Sequence, residues 1–178
     1  SETFRKWQKP SFLSLHFQIS LPLASYPIGP SSRFKVSSGC MSVLEGAHFF
    51  SPYIGLGGRF SVTRTSVIVD NIRAENNVFD TWRIGGGAYF SCPLSTRWLA
   101  GSKLLVERVH YPDLQQTSYL VDSRHSFSLG TGLSLTFRAH QHYGIRLLLD
   151  YDLLPYRTAG RQICVHSLTL GTAFLVAF

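Results

Sequence analysis

Apolar residues fall at every second position through most of this chain. Near its end Leu168, Leu170, Thr172, Phe174, Val176 and Phe178 alternate with Ser167, Thr169, Gly171 and Ala173. Upstream, Tyr143, Ile145, Leu147, Leu149, Tyr151 and Leu153 oppose Gly144, Arg146, Asp150 and Asp152, and Phe127 through Phe137 oppose Ser126, Ser128, Gly130, Gly132, Ser134, Thr136 and Arg138. The scheme recurs in Trp98, Ala100, Ser102, Leu104 and Val106 against Gly101, Lys103 and Glu107, and in Trp82, Ile84, Gly86, Ala88 and Phe90 against Arg83, Gly85, Gly87 and Tyr89. Ile54, Leu56, Gly58, Phe60 and Val62 face away from Gly55, Gly57, Arg59, Ser61 and Thr63, as Leu13 through Leu21 do from Ser14, His16, Gln18 and Ser20. Side chains on a strand alternate faces, so a period of two predicts seven strands, each with one apolar and one small or polar side. An eighth strand is expected between Arg33 and Phe50, where the pattern is weak, with Leu44 and Phe50 outward.

The charged side of each strand tells which way it faces. A soluble barrel of the lipocalin kind would turn its apolar side inward and its charges outward. Here that exterior would be glycine-rich, with only Arg59, Arg83, Lys103, Glu107, Arg146 and Asp150 to solubilise it, so the opposite arrangement is preferred. The apolar sides then meet lipid and the charges meet one another in the interior. No apolar run approaches the roughly 18 residues of a membrane helix. A mean hydropathy of +0.06 suits a wall that averages lipid-facing against lumen-facing positions. The 178 residues divide into eight strands with connections at about 22 residues each, and strands of about 10 residues cross a bilayer. The prediction is an all-β, eight-stranded antiparallel up-and-down transmembrane barrel over residues 11–178, with residues 1–10 as a periplasmic tail.

Connections support the topology. Short links near Ser51–Pro52, at Pro93–Arg97 and at Ala139–His142 alternate with longer ones at Pro22–Ser32, Val67–Val78, Tyr111–Arg124 and Pro155–Arg161. Short periplasmic turns and longer outer loops are the habit of bacterial barrels, which places both chain ends in the periplasm. With that orientation Phe50, Phe90, Trp98, Phe137, Tyr143 and Phe178 fall at the periplasmic strand ends, and Trp82, Phe127 and Tyr151 near the outer ends, forming two aromatic girdles.

On strand pattern, loop asymmetry and the terminal aromatic series, the chain resembles the small eight-stranded outer-membrane barrels of the OmpA, OmpX and OmpW type, and the compact barrels of Bacteroidetes. The resemblance implies a bacterial outer-membrane location, outer-membrane lipid and lipopolysaccharide as surroundings, and no cofactor. It also implies that Leu170, Phe174, Val176 and Phe178 form the signal read by barrel-assembly machinery. It names an architecture rather than an activity. The expected role is non-enzymatic: a structural or interaction protein with a plugged lumen, presenting loops outward and a tail to the periplasm. The rival role is a subunit of a larger envelope complex, such as a secretion apparatus of the type IX kind or an assembly machine, with periplasmic or lipoprotein partners. A narrow channel and a lipid-modifying barrel enzyme are weaker alternatives.

Lumen chemistry follows from size, since an eight-stranded barrel is only just wide enough for its own side chains. Arg59, Arg83, Lys103, Glu107, Arg138, Arg146 and Asp150 are expected to form a paired network, with Glu107 meeting Lys103 or Arg83 and Asp150 meeting Arg146 or Arg59. Leu105, Leu148 and Leu175 also face inward on this register, which argues against an open pore. The formal charge of +7 is not accompanied by any groove-reading motif, so nucleic acid is not expected as a partner. Arg64, Arg73, Arg108, Arg124, Arg157 and Arg161 gather at the outer rim, where lipopolysaccharide phosphates would lie and where a guanidinium fork suits them. Arg5, Lys6 and Lys9 belong to the tail with Phe4 and Trp7.

The nearest catalytic constellation is Asp122, His125, Ser126 and Ser128, with His110 and His166 at similar height. Residues 125 and 126 point to opposite faces, and none of the seven histidines is followed two residues on by a serine, the His-x-Ser order of barrel lipid A deacylases. His140 and His142 lack nearby Cys or carboxylates for a metal site. Cys40, Cys92 and Cys164 have no CxxC spacing and are expected as free thiols.

Overall fold

A computed structural model describes residues 10–23, 26–27, 33–69, 72–110, 125–158 and 161–178. Ten antiparallel strands run in chain order: β1 (Phe12–Pro22), β2 (Tyr26–Pro27), β3 (Arg33–Val36), β4 (Gly39–Phe49), β5 (Ile54–Val69), β6 (Ile72–Pro93), β7 (Trp98–His110), β8 (His125–Arg138), β9 (Tyr143–Thr158) and β10 (Arg161–Ala177). The eight long strands pair in the order β1-β4-β5-β6-β7-β8-β9-β10, and β10 returns to β1, so the sheet closes on itself and leaves no long edge. No helix in the described residues is long and apolar enough to cross a membrane.

Following cross-strand partners from Leu129 shows the stagger of the ring. One way leads through Val106, Gly86, Gly58 and Gly46 to Leu13, and the other through Leu153 to His166, whose carbonyl accepts from the Leu23 amide at 3.1 Å. The two paths meet β1 ten residues apart, from Leu13 to Leu23, which tilts the strands by about 35–45°. At that tilt the eleven residues of β7 from Trp98 to Arg108 rise about 25 Å, the height of an apolar barrel band.

Burial is inverted relative to a soluble globule. Phe17, Phe127, Leu133 and Leu56 are among the most exposed side chains, whereas Glu107 and Asp150 are completely buried. The apolar side of each strand faces out and the polar side in, which only a lipid surround makes stable.

Two expected details change. The stretch from Arg33 to Phe50 is two strands, β3 and β4, both paired to β5. Val36 aligns with Val67 and Cys40 with Arg64, so the register slips by one residue across Ser37–Ser38, an irregularity of the β-bulge kind. Leu44 and Phe50 do face outward. The segments Val67–Val78 and Pro155–Arg161, expected as loops, are largely strand: β5 and β6 stay paired to Val69 and Ile72, and β9 and β10 to Thr158 and Arg161. Backbone pairing there persists because hairpin hydrogen bonds satisfy the chain without needing lipid contact. The link 111–124 and tail residues 1–9 lie outside the described residues.

Candidate functional site

The interior is built in layers. At the end of the barrel that carries the short turns, Phe12 (β1), Ala47 and Phe49 (β4), Tyr89 (β6), Leu105 (β7) and Leu175 and Ala177 (β10) form an apolar cluster, with the Phe12 and Tyr89 rings edge to face at 6.0 Å. Above it lies an ion-pair layer. Towards the opposite end the wall is lined by hydroxyls, including Ser61, Ser128 and Thr169, and Ser20 and Ser167 share a hydrogen bond of 2.8 Å.

Arg59 is the hub of the ion layer. Its Nε and Nη2 donate to the two oxygens of Glu107 at 2.9 and 2.5 Å, its Nη1 to Asp150 Oδ2 at 3.1 Å, and its Nη2 also to Asp152 Oδ1 at 2.8 Å. Lys103 Nζ bridges Glu45 Oε2 at 2.7 Å and Asp150 Oδ2 at 3.0 Å. Arg83 Nη1 lies 3.1 Å from Asp152 and 3.7 Å from Glu107. Arg146 donates from Nε to Thr136 Oγ1 at 2.9 Å, stands 3.9 Å from Glu45, and lies over the Phe12 ring, tying the ion layer to the apolar one. Four buried cations therefore face four buried carboxylates among the described residues, and His16 stands beside them, sharing a 2.6 Å hydrogen bond with Ser14 and lying 3.8 Å from Glu45.

Space for these groups comes from β8. A Cβ on Gly132 would sit 2.1 Å from Asp150 Oδ1 and 2.8 Å from Lys103 Cε, and one on Gly130 2.6 Å from Asp152 Oδ1. The carboxylates thus lie against bare backbone.

Six of the seven expected lumen charges, Arg59, Arg83, Lys103, Glu107, Arg146 and Asp150, meet in this layer, while Arg138 is half-buried at the C-terminal end of β8. The pairs Glu107–Arg83 and Asp150–Arg59 form. Lys103 reaches Glu45 and Asp150 instead of Glu107, and Arg146 reaches Glu45 instead of making its main contact with Asp150. Each displaced pair lies four residues apart on one strand, about 13 Å along it, beyond direct contact, whereas partners across the lumen are close. Glu45 and Asp152 were not expected in the network. Asp152 carried the signal of an inward position; Glu45 sits on β4, where the alternation fails.

On the outside, Trp82, Phe90, Trp98, Phe127, Phe137, Tyr143, Tyr151 and Phe178 all face away from the lumen. Trp98 packs on Phe137 at 5.0 Å, Tyr143 on Phe174 at 5.9 Å and Trp82 on His110 at 4.8 Å, and the Tyr151 hydroxyl bonds His166 Nδ1. Leu170, Phe174, Val176 and Phe178 are exposed along β10. Of the outer arginines, Arg64 and Arg108 are exposed on the outward face; the side chains of Arg73, Arg157 and Arg161, and Arg124 altogether, lie outside the described residues. Ser128 points inward while His110 and His166 point outward, so these members of the catalytic candidate stand on opposite sides of the wall; Asp122 and the His125 side chain are outside the described residues. His140 and His142 stand 6.0 Å apart beside Tyr143 in the β8–β9 turn. Cys40, Cys92 and Cys164 are free and exposed.

This closed, outward-apolar ring of eight long strands is the architecture of the small outer-membrane β-barrels. Solved structures bear this out. The outer-membrane protein OprG from Pseudomonas aeruginosa superposes with a TM-score of 0.67 at 9% identity, over 96% of this chain and 98% of that one. Neisserial surface protein A gives 0.57 at 13% identity, over 94% and 97%. Outer-membrane protein AlkL, solved in lipid bilayers, gives 0.55 at 14% identity, over 96% and 91%. At these identities the likeness is one of fold. Neither a protein-family model nor a curated protein sequence matches the chain.

Proposed function

We propose that the protein is a non-enzymatic barrel of the bacterial outer membrane whose lumen is plugged, and that it acts through the surfaces it presents rather than by conducting or transforming a solute. The observation that carries this reading is the interior: four cations locked to four carboxylates, with an apolar layer beneath them. A charge-balanced network has no surplus field to attract an ion, and bidentate pairs leave no mobile group to pass one along. The cavity lined by Phe12, Glu45, Tyr89, Lys103, Arg146 and Leu148 holds about 20 Å³, room for a single water.

Planar-bilayer recording of the purified full chain tests this. The expected record is a flat baseline under applied voltage in molar salt, after insertion is verified by protection from protease. Discrete, reproducible conductance steps would overturn the plug.

A further inference from the structure

The end of the barrel that carries the short turns is almost free of acid. Of the ten carboxylates in the sequence, Glu45, Glu107, Asp150 and Asp152 line the lumen. Asp70, Glu75, Asp80, Asp113 and Asp122 belong by sequence to the β5–β6 hairpin and the β7–β8 link, at the opposite end. The connections 50–53, 94–97 and 139–142 hold none. Basic residues are distributed the other way. Arg97 closes the β6–β7 turn, Arg138 ends β8, and Arg5, Lys6 and Lys9 stand just ahead of β1 in the chain, where Glu2 is the one acid.

Arg97 is exposed and directly precedes Trp98, whose ring packs on Phe137 at 5.0 Å. The Arg138 amide donates to the Arg97 carbonyl at 2.8 Å, so the two residues are cross-strand neighbours at the edge of that aromatic pair. Outward aromatic rings at strand ends sit at headgroup level, which sets the neighbouring Arg97 at the depth of lipid phosphates, where a guanidinium fork suits them. Basic residues close to an anionic membrane surface are attracted to it one by one, without a shaped pocket. Here they are spread over the β6–β7 turn, the end of β8 and the start of the chain rather than gathered in one cleft, which suits a layer of headgroups better than a single acidic protein. We propose that the short-turn end of the barrel selects anionic phospholipid headgroups, with Arg97 as a phosphate-contacting residue beside Trp98 and with Arg5, Lys6, Lys9 and Arg138 adding to the attraction. This rests on the membrane-barrel reading above.

The test uses the full chain in nanodiscs of equal parts phosphatidylglycerol and phosphatidylcholine, with folding verified by heat-modifiability. Native mass spectrometry then measures which lipid stays with the released protein. Phosphatidylglycerol is expected to be retained in preference. The combined variant Arg5→Gln, Lys6→Gln, Lys9→Gln and Arg97→Gln is expected to lower that preference at least about fivefold, the worth of one such residue at an anionic surface. Arg97→Gln alone should lower it by a smaller factor, and Arg97→Lys, which keeps the charge, should leave most of it. Equal retention of the two lipids by the wild type, or a preference that the combined variant leaves intact, would overturn the site. A wild type indifferent to phosphatidylglycerol that instead retains an added polyglutamate peptide would overturn the lipid assignment in favour of an acidic protein. A chain that fails to fold into the discs would overturn the barrel reading beneath the proposal.

Discussion

Replacing Arg59 by Met probes the lumen most severely. The substitution deletes the donor of four charge-assisted hydrogen bonds, of 2.9 and 2.5 Å to Glu107, 3.1 Å to Asp150 and 2.8 Å to Asp152. It leaves the four carboxylates facing only Arg83, Lys103 and Arg146. Each such bond contributes about 1.5–3 kcal/mol taken alone, but these do not sum, because desolvating the guanidinium offsets much of the gain. The net effect is set by the orphaned buried charge, which costs about 3–5 kcal/mol. Reversible urea unfolding in lipid vesicles, followed by tryptophan fluorescence, measures this as a lower midpoint at unchanged slope. Adding Glu107→Gln to Arg59→Met restores the balance of charge and is expected to recover at least about 1 kcal/mol, a non-additivity that only coupled groups show. An Arg59→Met protein within about 0.5 kcal/mol of the wild type, or a strictly additive double variant, would refute the argument that these charges are buried and paired.

Other expectations follow from the walls and glycines. Gly132→Ala would drive a methyl group into Asp150, already held by Arg59 and Lys103, and should lower stability by about 1–3 kcal/mol in the same unfolding assay. Gly58→Ala points outward, where the nearest atom to its Cβ is the Gly85 carbonyl at 3.1 Å, and should change stability by less than about 1 kcal/mol. Phe17 is 65% exposed, so Phe17→Arg would be near neutral on a water-facing surface; in the bilayer it should cost about 2–4 kcal/mol, read from vesicle unfolding midpoints.

Period-two alternation made most of this barrel legible in the chain, because lipid outside and a crowded polar lumen inside demand opposite chemistry at successive residues. It failed on β4, whose polarity is partly reversed. There the inward Met41, Val43, Ala47 and Phe49 are apolar, since they build the plug and its surroundings, while the outward Cys40, Ser42, Gly46 and His48 are small or polar. Glu45, inward among apolar neighbours, was hidden by that reversal. The set of lumen charges could be read from faces alone, but their pairing could not. Arg59 reaches Glu107 and Asp150 from strands not adjacent to its own, and that meeting depends on the ten-residue stagger of the ring. The loops were overestimated for a related reason, since paired strands past the membrane edge no longer need an apolar face and lose the alternation that marks them.

This chain closes into a membrane-spanning barrel with its own strands, β10 pairing back to β1. Folding the full chain from urea into lipid vesicles, then comparing boiled and unboiled samples by gel electrophoresis, tests it most directly. The account predicts that the unboiled protein stays with the vesicles and migrates as a compact band, which boiling converts to one at about the full 20.0 kDa. A chain that remains soluble after the urea is removed, and whose mobility is unaffected by boiling, would contradict it.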